Sequence, residues 1–138
     1  MMQPKKSKFR KEFRGTMSGI ATRGTTVAFG EFGLKVIESA WITAAEIEAA
    51  RRTITHHTKR GGKLWLRIFP HKPLTHKTAG AKMGSGKGDI EKYTAVVKRG
   101  AIIFELGSLD EATAREAFRK AASKLPVLTN FVIRGEIV

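Results

Sequence analysis

The sequence predicts an α+β domain, with a largely antiparallel sheet and two helices packed on one side of it. Three observations favour this class. Short apolar segments alternate with a period of two, two longer segments have helical periodicity and a capping signal, and strand-type segments flank both helices. The 138 residues contain no internal repeat. We therefore predict one domain at residues 24–138, preceded by an extended basic arm at residues 1–23.

Three strands are predicted in the first half of the chain. The stretch TTVAFGEFGLKVIESAW, residues 25–41, is rich in apolar residues and is interrupted by Gly30 and Gly33. This pattern predicts two short strands with a bend between them. The stretch KLWLRIF, residues 63–69, alternates between two faces and ends at Pro70, which predicts a third strand.

The first helix is predicted over residues 43–60. Thr43 and Glu46 have the spacing of a capping box, and Gly61-Gly62 is a typical stop signal. The helix has an apolar side formed by Ile47, Ala50 and Ile54 and a basic side formed by Arg52, His56, Lys59 and Arg60. We expect the apolar side to pack on the sheet and the basic side to face a ligand.

The second half of the chain begins with a long segment, residues 70–91, that has no strand or helix pattern. Loops of this length are usually functional or disordered. KYTAVV and AIIFEL then predict a β-hairpin over residues 92–106. Ser108 and Glu111 predict a capping box for the second helix. A last strand is predicted from Val127 to about Ile133.

Positive charge is the strongest compositional feature. The chain has 26 basic and 12 acidic residues, for a net charge of +14. Seven bases and one acid lie in residues 1–23, and thirteen bases and two acids lie in residues 51–99. A merely soluble surface would not need so uneven a distribution. Clustered positive charge instead indicates a polyanionic partner, most often nucleic acid.

Several other classes of protein are disfavoured by the composition. The chain has no cysteine, so it has neither disulfides nor thiolate metal ligands. No apolar run approaches the roughly 20 residues of a membrane-spanning helix. The basic N-terminus is not followed by the apolar stretch of a secretory signal. We therefore expect a cytoplasmic protein that does not bind a membrane.

The glycine-rich stretch KTAGAKMGSGKGDI, residues 77–90, superficially resembles a nucleotide-binding loop. A P-loop would need a glycine where the chain has Ala81 and a hydroxyl residue where it has Gly88. The dinucleotide fingerprint fails at Asp89, and a strand pattern follows where both motifs need a helix. We interpret the glycines as allowing close backbone approach to RNA and the lysines as phosphate ligands. A passive connecting loop is the alternative.

No constellation of residues indicates an enzyme. The histidines lack the cysteine or acidic partners of a metal site, and Glu46 and Glu111 are explained as helix caps. No serine lies in a nucleophile elbow. We therefore expect no catalytic residue, no metal, no cofactor and no small-molecule substrate. Trp41 and Trp65 are either core residues or platforms on which bases stack.

The segments MQPKKSKFRKEFRG, VAFGEFGLK, ITAAEIEAARR, GGKLWLRIFPHKPLT, KMGSGKGDIE and AREAFRKAASKLP occur in this order from Gln3 to about Ile133. Their order and spacing resemble the family of the bacterial large-subunit ribosomal protein number sixteen. The resemblance implies the α/β-hammerhead fold. It also implies binding to 23S rRNA near the peptidyl transferase region, proximity to the aminoacyl-site tRNA, and a role in late subunit assembly.

The resemblance and the charge pattern together give the candidate site residues. Contacts with rRNA are predicted for the arm and the first helix: Lys5, Lys6, Lys8, Arg10, Lys11, Arg14, Arg23, Arg51, Arg52, His56, Lys59 and Arg60. The loop predicted to approach tRNA contains Lys77, Lys82, Met83, Gly84, Gly86, Lys87 and Gly88. Many family members have arginine where this chain has Lys82. The other partners implied are the peptidyl-site tRNA and neighbouring large-subunit proteins. An RNA-binding or RNA-chaperone protein outside the ribosome is the alternative function.

Overall fold

A computed structural model describes residues 2–4, 20–21, 24–76 and 89–135. The chain forms seven strands and two helices within these ranges. They are β1 (Phe32–Val36), β2 (Ala40–Thr43), α1 (Ala44–His57), β3 (Lys63–Leu66), β4 (Lys72–His76), β5 (Asp89–Val97), β6 (Ile102–Gly107), α2 (Glu111–Ala122) and β7 (Thr129–Ile133). The two helices and the antiparallel sheets confirm the predicted α+β class.

The strands form two antiparallel sheets. One has four strands in the order β3-β6-β1-β7, and the other has three in the order β2-β5-β4. The predicted hairpin over residues 92–106 is therefore wrong, because β5 and β6 belong to different sheets. The turn between them bonds to β1 instead: Gly100 N–H donates to Val36 O and Val36 N–H donates to Ala101 O.

Residues 70–91, for which the sequence predicts neither a strand nor a helix, have strand residues near both ends. Strand β4 begins at Lys72 and β5 begins at Asp89, and these two strands pair with each other. The segment at residues 77–88 lies between them and outside the described residues. The two strands bring its ends together at the edge of the three-stranded sheet.

The beginning of α1 agrees with the sequence signal. Thr43 is the N-cap, and its hydroxyl accepts from the Glu46 N–H at 3.2 Å while the Glu46 carboxylate accepts from the Thr43 N–H at 2.9 Å. The helix ends earlier than predicted, at His57. Lys59 and Arg60 follow with φ angles of 53° and 62°, which no helix can contain.

The sequence predicts Ser108 as the N-cap of α2, and this prediction is wrong. The N-cap is Asp110, whose carboxylate accepts from the Thr113 N–H at 3.2 Å and from the Thr113 hydroxyl at 2.6 Å. Ser108 has a φ of 60° and lies in the turn before the helix. Aspartate is a strong N-cap, so the signal two residues nearer to the helix prevails.

The two helices pack against each other, and α1 also contacts β2 and β5 while α2 contacts β1 and β7. Their buried residues join one face of the four-stranded sheet and residues of β2 and β5 in one hydrophobic cluster, in which Ile47, Ile54, Phe104 and Phe118 are almost completely buried. Ile54 confirms the apolar side that was predicted for the first helix. At about 25 cal/mol per Å² of apolar surface removed from water, this cluster is the main source of stability.

Residues 24–31 cover the opposite face of this sheet. A Cβ at Gly33 in β1 would lie 2.7 Å from the Val27 side chain, so glycine allows the segment to pass close to the strand. The Glu105 side chain also points to this face from β6 and is completely buried. Its carboxylate accepts from the N–H groups of Ala28, Phe29 and Gly30 and pairs with the Arg67 guanidinium.

The hydrogen bonds explain why a buried carboxylate is stable here. Burial alone would raise the pKa of Glu105, but the three backbone N–H groups and Arg67 outweigh this effect and hold its pKa below the usual value. The carboxylate is therefore ionised at neutral pH. It fixes residues 28–30 against the sheet, and we call this arrangement the Glu105 clamp.

We predict that Glu105→Gln lowers the free energy of unfolding by about 3 kcal/mol or more, because the amide leaves Arg67 unpaired and offers fewer acceptor sites. The change should appear as a lower urea midpoint. Glu31→Gln is the matched control, since Glu31 lies beside the clamp and is exposed; it should change stability by less than about 0.5 kcal/mol.

The same clamp predicts a pH dependence. The pKa of Glu105 is lower in the folded chain than its value of about 4.3 in an unfolded one. Its contribution is therefore complete above pH ~4.3 and is lost as the pH falls through the folded-state pKa. Urea unfolding from pH 7 to pH 3 should show a smaller acid-induced loss in Glu105→Gln than in the wild type. Equal losses in the two proteins would mean that the clamp carboxylate is not ionised.

Candidate nucleic-acid interface

Five of the predicted RNA-binding residues lie together on the surface of α1 and the turn that follows it. Arg51, Arg52, His56, Lys59 and Arg60 line one groove of about 720 Å³ together with Thr55. We call it the α1 groove. The predicted arm residues Lys5, Lys6, Lys8, Arg10, Lys11, Arg14 and Arg23 lie outside the described residues. So do the loop residues Lys77, Lys82, Met83, Gly84, Gly86, Lys87 and Gly88.

The helical period places the α1 groove away from the core. Ala50 and Ile54 are completely buried, whereas Arg52 keeps 76% of its side chain exposed. Residues three and four positions apart share a face, so Arg52, Thr55 and His56 form a continuous surface strip. The division between apolar and basic sides that the sequence predicts is therefore present in the structure.

The turn after α1 brings two more cations to the groove. The Arg60 N–H donates to Thr55 O at 3.0 Å and the Gly61 N–H donates to Thr58 O at 2.9 Å. Lys59 and Arg60 are both in the left-handed backbone region, which costs roughly 1–2 kcal/mol for each such residue. Strain of this kind is concentrated at functional sites, where it places a side chain.

Glu48 organises the two arginines on the helix. Its carboxylate accepts from Arg51 at 2.5 and 3.0 Å and from Arg52 at 3.2 Å. The pKa of Glu48 is lowered to about 2, chiefly by the hydrogen bond from Arg51, so the group is ionised at neutral pH. The sequence prediction missed this residue, although its spacing of three and four positions from the arginines is a recognisable signal.

Lys59 and Arg60, which we call the turn cations, differ from the two arginines because they have no acidic partner among the described residues. Within the part of the chain that the structure describes, no carboxylate lies within ion-pair distance of Lys59 or Arg60. Both side chains are exposed. The α1 groove therefore combines two arginines held by Glu48 with two cations whose charge is not neutralised by a neighbour.

Trp65 is a packing residue and not an exposed stacking platform. A Cβ at Gly30 or at Gly107 would lie 3.1 Å from its ring, and the Phe29 ring stacks on it with centroids 6.3 Å apart. Arg67 in turn lies 5.1 Å from the Phe29 ring centroid. Trp41 lies on β2, with the Lys72 ammonium 4.8 Å from its ring centroid.

The described ranges contain neither a metal site nor a membrane-spanning helix. Among those residues, no group of three or more histidine and acidic side chains is arranged to hold a metal ion. Neither of the two described helices is long and apolar enough to cross a bilayer. The α1 groove is thus the feature of the described surface that best matches the predicted chemistry.

The comparisons with known proteins agree with this chemistry. The family model described as "Ribosomal protein L16p/L10e" matches residues 4–132. The chain is 57% identical over 136 residues to "Large ribosomal subunit protein uL16" of Lactococcus lactis subsp. cremoris (strain MG1363), with 99% of each chain covered. It is 54% identical over 137 residues to "Large ribosomal subunit protein uL16c" of Phaeodactylum tricornutum, again with 99% of each covered. The chain therefore belongs to the L16p/L10e family of ribosomal proteins.

Proposed function

We propose that this protein is a structural, non-enzymatic component of the large ribosomal subunit in the cytoplasm. In this role it binds 23S rRNA, lies near the aminoacyl-site tRNA, and supports subunit assembly and tRNA positioning. Family membership and the names of the relatives support the ribosomal assignment. The observation that carries the RNA-binding part is the α1 groove, with four permanent cations on the side of α1 opposite to the core.

The lining of the α1 groove suits a phosphate backbone better than a small molecule. Pockets for small molecules are concave and mostly apolar. The described residues that line this groove are arginine, lysine, histidine and threonine, and none of them is aliphatic or is phenylalanine, tyrosine or tryptophan. Arginine can bind a phosphate with two parallel hydrogen bonds, lysine adds a point charge, and threonine hydroxyls add weaker donors.

The division of roles between the three basic elements follows from their positions. The α1 groove is a rigid surface, because its helix is held by the buried Ile47 and Ile54. We assign to it and to the arm the contacts with rRNA. The loop at residues 77–88 connects β4 and β5, and neither strand contributes a described residue to the α1 groove or to the groove between the helices. We assign to this loop the approach to tRNA.

The turn cations give a test that separates binding from folding. We predict that Lys59→Gly with Arg60→Gly weakens binding to a 23S rRNA transcript and reduces the slope of log affinity against log salt by about 1.4–1.8, for two lost phosphate contacts. Stability should not fall, because glycine adopts a positive φ without strain. The strain that is relieved offsets the cost of about 0.4–1 kcal/mol per residue that arises because glycine gives the unfolded chain more conformational entropy. Filter binding in a potassium chloride series and urea unfolding measure the two effects.

The control for this test is Lys98→Ala with Arg134→Ala. Both residues are exposed, carry the same total charge and do not line the α1 groove. The control should lose less affinity than the glycine pair. Equal losses would mean that RNA responds only to the net charge of the protein, and the assignment of the α1 groove would be withdrawn.

The arm is tested by deleting residues 1–15, which contain six basic residues and one acid. Each lost phosphate contact should reduce the salt slope by about 0.7–0.9, so the truncated chain should bind 23S rRNA more weakly and with a flatter salt dependence. The same filter-binding series measures this slope. An unchanged slope would show that the arm does not contact phosphates.

The loop is tested by replacing residues 78–88 with a short neutral turn. Strands β4 and β5 would still pair, so the domain should fold and bind rRNA through the arm and the α1 groove. Large subunits reconstituted with this variant should assemble poorly or bind aminoacyl-site tRNA poorly. Sedimentation measures assembly, and tRNA binding and peptide-bond formation measure activity. Wild-type values in all of these assays would show that the loop only connects β4 to β5.

A further inference from the structure

A second basic groove lies between the two helices. It has a volume of about 610 Å³ and is lined by Arg52, Thr53, His56 and His57 of α1 and by Lys120 and Lys124 on and just after α2. We call it the interhelix groove. It shares Arg52 and His56 with the α1 groove, so the two grooves form one continuous basic surface.

A direct side-chain contact joins the two helices at this groove. The Lys120 ammonium lies 3.1 Å from the Nδ1 atom of His57. An ammonium group has donors only, so Nδ1 is the acceptor in this contact. The bond orients Lys120 in the groove without removing its charge.

The two acidic residues of α2, Glu111 and Glu116, form ion pairs with arginines that do not line the interhelix groove. Arg119 donates to Glu116 at 2.5 and 3.0 Å, and Arg115 lies 3.9 Å from Glu111. The hydrogen bonds from Arg119 are the main reason that the pKa of Glu116 is lowered. Arg52, Lys120 and Lys124 therefore supply three permanent cations to a groove that no carboxylate of the described residues lines.

Stabilisation of the helix ends does not explain this set of residues. Cations in the last turn of a helix interact favourably with its dipole, but the effect falls off within that turn. Arg52 and Thr53 lie in the middle of α1, and Lys124 lies beyond the last residue of α2. Lys120 and Lys124 share a groove with the four α1 residues only through the packing of the helices, which points to a ligand.

We propose that the interhelix groove binds the phosphodiester backbone of RNA as a continuation of the strand held in the α1 groove, with Lys120 and Lys124 as phosphate ligands. This inference rests on the proposed function and adds α2 to the RNA-binding surface. An acidic protein segment is disfavoured, because the described lining residues include no aliphatic side chain and no phenylalanine, tyrosine or tryptophan to form the core of a protein interface.

The test is Lys120→Ala with Lys124→Ala in the full chain, using the 23S rRNA transcript as the probe. Both side chains are exposed, so the variant should fold. The salt slope should fall by about 1.4–1.8 relative to the wild type. Lys98→Ala with Arg134→Ala, which removes the same charge outside both grooves, should cause a smaller change. A salt slope equal to that of the wild type overturns the inference.

The failure of this inference can be told from the failure of the proposed function. If the wild type does not bind the transcript, the proposed function fails. If the Lys59→Gly and Arg60→Gly variant loses affinity and the Lys120→Ala and Lys124→Ala variant does not, only the interhelix groove is wrong. A photo-crosslinking residue at position 124 in reconstituted large subunits gives a second readout: cross-links to rRNA support the inference, and cross-links to protein alone overturn it.

Discussion

The buried carboxylate of Glu105 determines how the layers of this protein fit together. Removing an ion from water costs several kcal/mol, and here three successive backbone N–H groups and Arg67 offset that cost. These donors come from the segment before β1 and from the residue after β3, while the acceptor lies on β6. One side chain therefore connects the central strand β6, the residue that follows the edge strand β3 and the covering segment at residues 24–31. Glycines at positions 30, 33 and 107 provide the space in which this contact forms.

The clamp divides the surface of the domain into two parts with different tasks. One face of the four-stranded sheet joins the apolar sides of α1 and α2 in the hydrophobic core, and both basic grooves lie on these helices. The other face is covered by residues 24–31, which continue the chain from the basic arm. At the start of the chain, Met2 lines a groove with Glu48 and Arg52 of α1, so this described part of the arm lies on the helix side of the domain.

The sequence predicts most of the local structure but not the tertiary partners of each element. The Thr43 cap and the two sides of α1 follow from spacing within one helix, and both are confirmed. The hairpin predicted over residues 92–106 is wrong because the alternation of apolar and polar residues identifies a strand but not the strand with which it pairs. In the strand AIIFEL, Glu105 is a single acid among apolar residues, and its role depends on residues more than 70 positions away. The contribution of α2 to the basic surface likewise depends on helix packing, which spacing alone cannot reveal.

The cations of the α1 groove are placed by interactions that contribute little to folding. Arg51 and Arg52 are held by Glu48 in exposed ion pairs, and such pairs are typically worth less than about 1 kcal/mol. Lys59 and Arg60 are placed by a strained turn that opposes folding. An arrangement that orders charges without stabilising the domain is explained more readily by binding, since ordering side chains in advance reduces the entropy lost when a ligand binds. Stability therefore resides in the core and the Glu105 clamp, and the charges on the helix surface contribute little to it.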